Sequence, residues 1–300
     1  MISGYYNQIK NELLNNEVYK RVKDYSKNRN ELSTYYNVGK LLIEAGKQYG
    51  EKIIGNYSEK LVVEVGKKYN KRTLFRMRQF YKLIEEQKVS TVSTQLSWSH
   101  YCELLSIKDI DEINYYIITT ERYNLSVREL RERIKNKEYQ RLDDNTKLKL
   151  INKKELYISD TIKNPIIIKN KLEIDKENVS EKMLQKIILE DIEGFMRELG
   201  DSFSFIGSEY KIKINNAYNY IDLLLFNIKY NCYVVVELKV TEVKKEHIGQ
   251  IEVYMNYIDK HVKNITNDRT IGIIVARRDN HYYIEYSSDK IIYTRDYELV

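Results

Sequence analysis

The chain has 300 residues, which is enough for two domains of ordinary size. Its composition is 42% hydrophobic and 31% charged, and no stretch approaches the ~20 apolar residues that a membrane-spanning helix needs, so we expect no membrane partner. Two cysteines and four histidines are too few for a disulfide framework or for a zinc site built from thiolates or imidazoles. Because the first residues contain no apolar signal segment, we also expect a cytoplasmic protein.

The excess of positive charge is confined to the first third of the sequence. Residues 1–100 contain 18 basic and 10 acidic side chains, a net charge of +8, whereas residues 101–300 contain 32 and 34, a net charge of −2. Such an excess is typical of a surface that binds nucleic acid, because each neutralised phosphate releases condensed counterions. The alternative is a solvated helix face whose interleaved aromatic residues point into a core. The candidate nucleic-acid-binding residues, which no acid interrupts, are Lys67, Lys68, Lys71, Arg72, Arg76 and Arg78.

The hydrophobic spacing divides the sequence into three segments. Residues 1–142 have apolar positions that recur every three or four residues, and they predict an all-α domain of helix-turn-helix type. Residues 143–178 are polar and rich in lysine, and their lack of a clear period predicts a linker. Residues 179–300 combine helical and strand-like spacing, and they predict an α/β domain.

Within the third segment, the predicted elements follow one another in the order helix, antiparallel meander, helix, strand. Asn178 and Glu181 have the spacing of a capping box at the start of a helix that ends at Gly200. The strand-like runs are bounded by turn residues and are rich in β-branched and aromatic side chains. They lie at Phe203–Ile206, Tyr210–Ile214, Ile221–Phe226, Tyr233–Val240, Thr270–Ala276, Tyr282–Tyr286 and Ile291–Tyr293, with a helix at His247–Ile258.

Two of these predicted strands carry acidic residues at positions that a hairpin would bring together. Glu237 and Lys239 stand at the end of a β-branched run and, because strand side chains alternate, they share one face. Suppose that the loop before this run is even in length and centred between Lys229 and Tyr230. The two residue numbers of each cross-strand pair then sum to 459, and Asp222 lies opposite Glu237. An odd loop without a bulge would place Asp222 on the wrong face.

Two carboxylates a few ångström apart in an apolar sheet repel each other unless a positive charge lies between them. A divalent cation supplies that charge, and Mg²⁺ favours carboxylate oxygens. A cation bound to Asp222 and Glu237 would stabilise developing charge on a phosphodiester, and Lys239 would orient a water or neutralise phosphoryl oxygens. The alternative is a surface hairpin with an ordinary Glu–Lys pair, because short E-x-K matches are common.

These residues resemble the core of the PD-(D/E)xK nucleases, and the sequence as a whole resembles a bacterial YhcG-like family of that superfamily. In this family a helical N-terminal domain of winged-helix character precedes the nuclease domain. Ile221 stands where the superfamily name has its proline. Further segments that carry the resemblance are Tyr35–Gly39, Leu74–Tyr81, Leu96–His100, Leu125–Leu130, Glu198–Gly200 and Gly249–Gln250 with Tyr254.

The resemblance implies a restriction-endonuclease-like C-terminal domain and a Mg²⁺- or Mn²⁺-dependent endonuclease that acts on DNA. It makes Asp222 and Glu237 the metal ligands, Lys239 the catalytic lysine and Gln250 a helix-borne residue near the site. A glutamate from the first helix often joins the metal site, and among the candidates Glu190, Glu193 and Glu198 we favour Glu193. RNA stays open as a substrate, a homodimer stays open as the assembly, and the alternative function is a catalytically silent nuclease fold that binds nucleic acid or a partner.

Overall fold

The computed structural model describes residues 4–21, 27–86, 95–152, 154–200, 202–278 and 291–300. The chain divides into two compact units, Met1–Tyr139 and Gln140–Val300. The segment 143–178, which the sequence predicts to be a linker, therefore lies within the second unit. The strand predicted at Tyr282–Tyr286 lies outside the described residues. None of the helices in the described ranges has the length and hydropathy that crossing a bilayer requires.

In the first unit, all regular elements of the described ranges are helices. The sequence prediction of an all-α unit is therefore confirmed, whereas the strands of a winged helix are not among the described elements. The helices are α1 (Gly4–Arg21), α2 (Lys27–Tyr49), α3 (Ile53–Glu64), α4 (Lys71–Glu86), α5 (Trp98–Leu104), α6 (Ile110–Tyr123) and α7 (Val127–Lys135).

Helices α2 and α4 approach each other closely at Gly39. A Cβ atom at this position would collide with the backbone carbonyl of Met77, so only glycine permits the observed contact between the two helices. Next to it, Trp98 packs edge-on against Tyr35 and Phe80, with ring centroids 4.7 and 5.6 Å apart. This aromatic cluster accounts for the aromatic residues Tyr35 in α2 and Phe80 in α4.

The second unit contains helices α8 (Asp144–Ile151), α9 (Ile158–Thr161), α10 (Glu181–Glu190), α11 (Ile192–Leu199) and α12 (Lys245–His261). Its strands are β1 (Ile166–Ile168), β2 (Phe203–Ile214), β3 (Ala217–Asn227), β4 (Cys232–Glu242), β5 (Ile271–Arg278) and β6 (Ile292–Leu299). They form one sheet in the order β1-β6-β5-β4-β3-β2. The pairs within β2-β3-β4 are antiparallel, and those within β4-β5-β6-β1 are parallel.

Helices cover both faces of this sheet. One apolar cluster joins β3, β4 and β5 to α10 and α11, and another joins the opposite face to α12. Strand β4 lies between β3 and β5, and each residue from Val234 to Lys239 is buried. This layered arrangement agrees with the predicted α/β class and places the Glu237–Lys239 segment inside the sheet.

Three details of the second unit differ from the sequence prediction. The helix predicted to run without interruption to Gly200 is divided at Asp191 into α10 and α11. Helix α10 is capped by Ser180, whose hydroxyl accepts a hydrogen bond from the Met183 amide, and Asn178 belongs to a preceding 3₁₀ turn. The runs predicted as two strands at residues 203–214 form the single strand β2, with a register shift between Phe205 and Gly207.

Candidate active site

The register between β3 and β4 brings the two acidic positions together. The paired residues run from Leu223 opposite Val236 to Asn227 opposite Cys232. Every pair has numbers that add to 459, as predicted for an even loop, and the next position along the same register is Asp222 opposite Glu237. The sheet pairing of β3 with β4 ends at this point, so the two carboxylates lie where the strands begin to separate.

Hydrogen bonds and an ion pair fix the side chains around this point. A carboxylate oxygen of Asp222 accepts a hydrogen bond from the Leu238 amide at 2.8 Å, and the Gln185 amide group donates to the Asp222 carbonyl at 2.9 Å. Lys239 Nζ lies 3.5 Å from Glu237 Oε2 and 3.4 Å from Glu181 Oε2. Only 2% of Glu237 and 7% of Lys239 are exposed, so these charges lie in a largely dry environment.

The electrostatic environment opposes ionisation of both acids, the buried Glu237 and the half-buried Asp222. Burial raises the pKa of Glu237 to about 8, and the nearby Asp222 carboxylate acts in the same direction. Burial also raises the pKa of Asp222, although the hydrogen bond from Leu238 and the charge of Lys239 lower it. For Lys239, burial lowers the pKa, but the surrounding carboxylates outweigh burial and the net shift is upward. The site therefore has a surplus of carboxylate over cation.

The donor set fits a hard divalent cation. Within the described residues, Glu237 Oε1 is buried and has no hydrogen-bond partner, which is a costly arrangement for a carboxylate unless a cation or water binds it. Carboxylate oxygens are the ligands that Mg²⁺ prefers. The described residues contain no group of three acidic, histidine or cysteine side chains arranged for a metal. Asp222 and Glu237 are the carboxylates that would hold a cation at this point.

Two further residues that the sequence analysis assigned to the site make other contacts. Glu193 has a side chain that is 81% exposed and that pairs with Arg197 one turn later on α11. Gln250 lies on α12, one turn after His247, and its amide group donates to the Tyr254 hydroxyl at 3.0 Å. The assisting role of Gln250 stays a prediction.

The helix glutamate that does reach the site is Glu181, at the beginning of α10. The sequence analysis missed its role because it treated Glu181 as a capping residue and sought the helix glutamate farther along the helix. Of the other two candidates, Glu190 ends α10 and Glu198 pairs with Arg141. His247 lies near Lys239 at the start of α12, and burial together with that positive charge lowers its pKa.

The basic residues of the first unit fall into two groups. Lys68 pairs with Glu17 and Arg78 pairs with Glu51, while Arg76 is partly buried and interacts with Cys102 and Glu103. Among the interleaved aromatics, Tyr69 and Phe80 are buried, as expected for core residues. Lys67, Lys71 and Arg72 are exposed, as is Lys68, which pairs with Glu17.

Comparison with known proteins identifies both halves of the chain. Residues 159–299 match the YhcG PDDEXK nuclease domain, and residues 14–141 match the DUF1016 N-terminal domain. The chain belongs to the YhcG-like family of PD-(D/E)xK nucleases. Its second unit is a PD-(D/E)xK nuclease domain, and this family match agrees with the fold of that unit.

Individual proteins that resemble this chain share between 17% and 26% of aligned residues with it. "Putative nuclease YhcG" of Escherichia coli (strain K12) is 26% identical over 286 residues, which cover 81% of this chain and 76% of that protein. A repair endonuclease from Pyrococcus abyssi aligns with a TM-score of 0.29 and 19% identity over 41% of this chain and 49% of the other. The structure of an EndoMS–dsDNA2 complex aligns with a TM-score of 0.28 and 17% identity over 42% and 48%. The aligned regions span about half of each solved chain.

Proposed function

We propose that this YhcG-like nuclease is a Mg²⁺- or Mn²⁺-dependent DNA endonuclease whose site is formed by Asp222, Glu237 and Lys239. The observation that carries the proposal is the proximity of the half-buried Asp222 and the buried Glu237 at the fork between β3 and β4, with one Glu237 oxygen buried and without a hydrogen-bond partner. A divalent cation bound there would supply charge stabilisation for the phosphodiester and an activated water.

The protein's own residues have separable roles in this proposal. Asp222 is held by the Leu238 amide, which fixes its carboxylate before any ligand arrives. Lys239 is held between Glu237 and Glu181, so its ammonium group is positioned to orient a water or to neutralise a phosphoryl oxygen. Glu181 acts as a positioning residue for Lys239 because the two side chains are in contact.

For DNA binding we propose the exposed cations Lys67, Lys71 and Arg72 of the first unit. Their exposure leaves the ammonium and guanidinium groups accessible to phosphates, whereas Lys68 and Arg78 have acidic partners. Replacing all three with glutamine should weaken binding of plasmid DNA and reduce the slope of its salt dependence by about three. An unchanged slope would assign the DNA contact to another surface.

Cleavage of supercoiled plasmid tests the catalytic proposal. Wild type should nick the plasmid with Mg²⁺ or Mn²⁺ and not with EDTA, and Asp222→Ala and Lys239→Ala should each lose this activity. Glu193→Gln is the matched control, since it changes an exposed acid of the same unit and should retain activity. If wild type leaves plasmid, branched DNA and RNA intact while binding them, the fold is a silent nuclease that acts as a binding module.

A further inference from the structure

The β2–β3 hairpin extends past the point where the pairing of β3 with β4 ends. β3 pairs with β4 only from Leu223 onwards, but it pairs with β2 as far as Ala217 opposite Ile214. The end of this hairpin is therefore a two-stranded arm. One of its faces is anchored, because Ile212 and Ile221 are buried in the cluster around α12.

The other face of the arm carries two tyrosines and two lysines in register. Lys211 pairs with Tyr220 and Lys213 pairs with Tyr218, so the four side chains are cross-strand neighbours on one face. We call this set, Lys211, Lys213, Tyr218 and Tyr220, the hairpin platform. Tyr218 is 57% exposed and Tyr220 is 52% exposed, which is a large exposure for aromatic rings. Lys211 Nζ lies 3.8 Å from the centroid of the Tyr218 ring.

The hairpin platform is continuous with the candidate active site. Tyr220 lies two residues before Asp222 on β3. On the paired strand β2, Glu209 lies two residues before Lys211, and its charge acts on Asp222. The platform therefore begins next to the candidate site along both strands of the arm. At about 3.3 Å per residue, Tyr218 lies about 13 Å from Asp222 along the strand, or roughly four nucleotide steps at the spacing of a stacked strand.

The chemistry of this surface favours an unpaired strand. Exposed aromatic rings offer stacking surfaces to unpaired bases, whereas the bases of a duplex already stack on each other. The lysines contribute phosphate contacts that suit either form of DNA. The tyrosines thus add a preference for single-stranded over duplex DNA that the lysines alone would not give.

We propose that the hairpin platform binds an unpaired segment of DNA and leads it to the carboxylates of Asp222 and Glu237. This inference rests on the proposed nuclease function and specifies its substrate as DNA with a single-stranded segment next to the cleavage position. Duplex DNA without such a segment is then the poorer ligand of the second unit.

The test is binding in EDTA, where no cleavage occurs, measured by fluorescence anisotropy with a single-stranded 20-mer and the duplex of the same sequence. The double variant Tyr218→Ala/Tyr220→Ala should weaken single-strand binding at least tenfold and duplex binding less than twofold. Tyr218→Phe/Tyr220→Phe should retain wild-type binding because the rings remain. Tyr157→Ala is the matched control, since Tyr157 is 64% exposed and has a lysine, Lys149, 4.9 Å from its ring centroid.

Each outcome decides the proposal. The proposal is overturned if the double alanine variant loses affinity equally for single strand and duplex, or loses affinity for neither. An equal loss of affinity in the Tyr157→Ala control would also overturn it. So would tighter binding of RNA than of DNA of the same sequence. The proposed nuclease function fails separately, through plasmid that stays intact with Mg²⁺ and Mn²⁺. A platform variant that binds single strands normally while wild type still cleaves would refute only the platform.

Discussion

The raised pKa of Glu237 predicts an unusual dependence of stability on pH in the metal-free protein. A carboxyl group whose folded pKa lies above its unfolded value binds its proton more tightly in the folded state, so stability falls as pH rises between the two values. Each pH unit in that interval is worth about 1.4 kcal/mol. With a folded pKa of about 8, Glu237 should lower the free energy of unfolding by about 2.5 kcal/mol between pH 5 and pH 7.

Glu237→Gln removes this dependence, and the assay is denaturant unfolding in EDTA at a series of pH values. Unfolding should be followed by circular dichroism rather than by tryptophan fluorescence. Trp98, the only tryptophan of the sequence, lies in the first unit, whereas the substitution lies in the second. Wild type should lose stability relative to Glu237→Gln as pH rises from 5 to 7. Excess Mg²⁺ should restore the stability of wild type and leave the variant unchanged.

The control for this experiment is Glu193→Gln, which makes the same chemical change at a side chain that is 81% exposed. It should follow the wild-type pH profile. Parallel profiles for wild type and Glu237→Gln in EDTA would refute the reasoning, since they would mean that burial and the Asp222 charge do not raise the pKa of Glu237 in the folded protein.

Three further predictions concern packing. Gly39→Ala should destabilise the first unit by about 1–3 kcal/mol in thermal unfolding, because the added methyl group overlaps α4, whereas Gly55→Ala, which has open space, should be neutral or stabilising by up to about 1 kcal/mol. Glu198→Ala should cost about 3–5 kcal/mol in denaturant unfolding because it removes the carboxylate that pairs with the buried Arg141 guanidinium, and an effect below about 1 kcal/mol would contradict this. Gly200→Ala should lower the thermal midpoint, since Gly200 has a φ of +121° and its Cβ would overlap Thr161; an unchanged midpoint would show that the loop adapts.

The part of the site that depends on local sequence could be predicted. The β-branched run of β4 and the even loop before it fixed which residues pair, and this placed Asp222 opposite Glu237. The contribution of Glu181 could not be found in the same way. Its contact with Lys239 joins residues 58 positions apart, and nothing in the spacing of α10 distinguishes a glutamate that caps the helix from one that reaches the sheet.

The same limit explains the segment 143–178. Strand β1 has three residues, and its partner β6 lies about 130 positions later in the sequence. Local composition therefore indicates only a polar stretch with a short apolar run. The division of the first nuclease helix at Asp191 was also missed, because apolar residues continue with helical spacing on both sides of the break.

The pairing of β1 with β6 also has a consequence for the order of folding. The carboxylates are assembled by the β2–β3 and β3–β4 hairpins, whose strands are neighbours in sequence, whereas β1 must close a loop of about 130 residues before its three backbone pairs form. The entropic cost of closing a long loop slows the formation of such distant contacts, whereas a local hairpin closes a short loop at a small entropic cost. The catalytic half of the sheet is therefore expected to form early, and the β1 edge to join last and to be the first to fray.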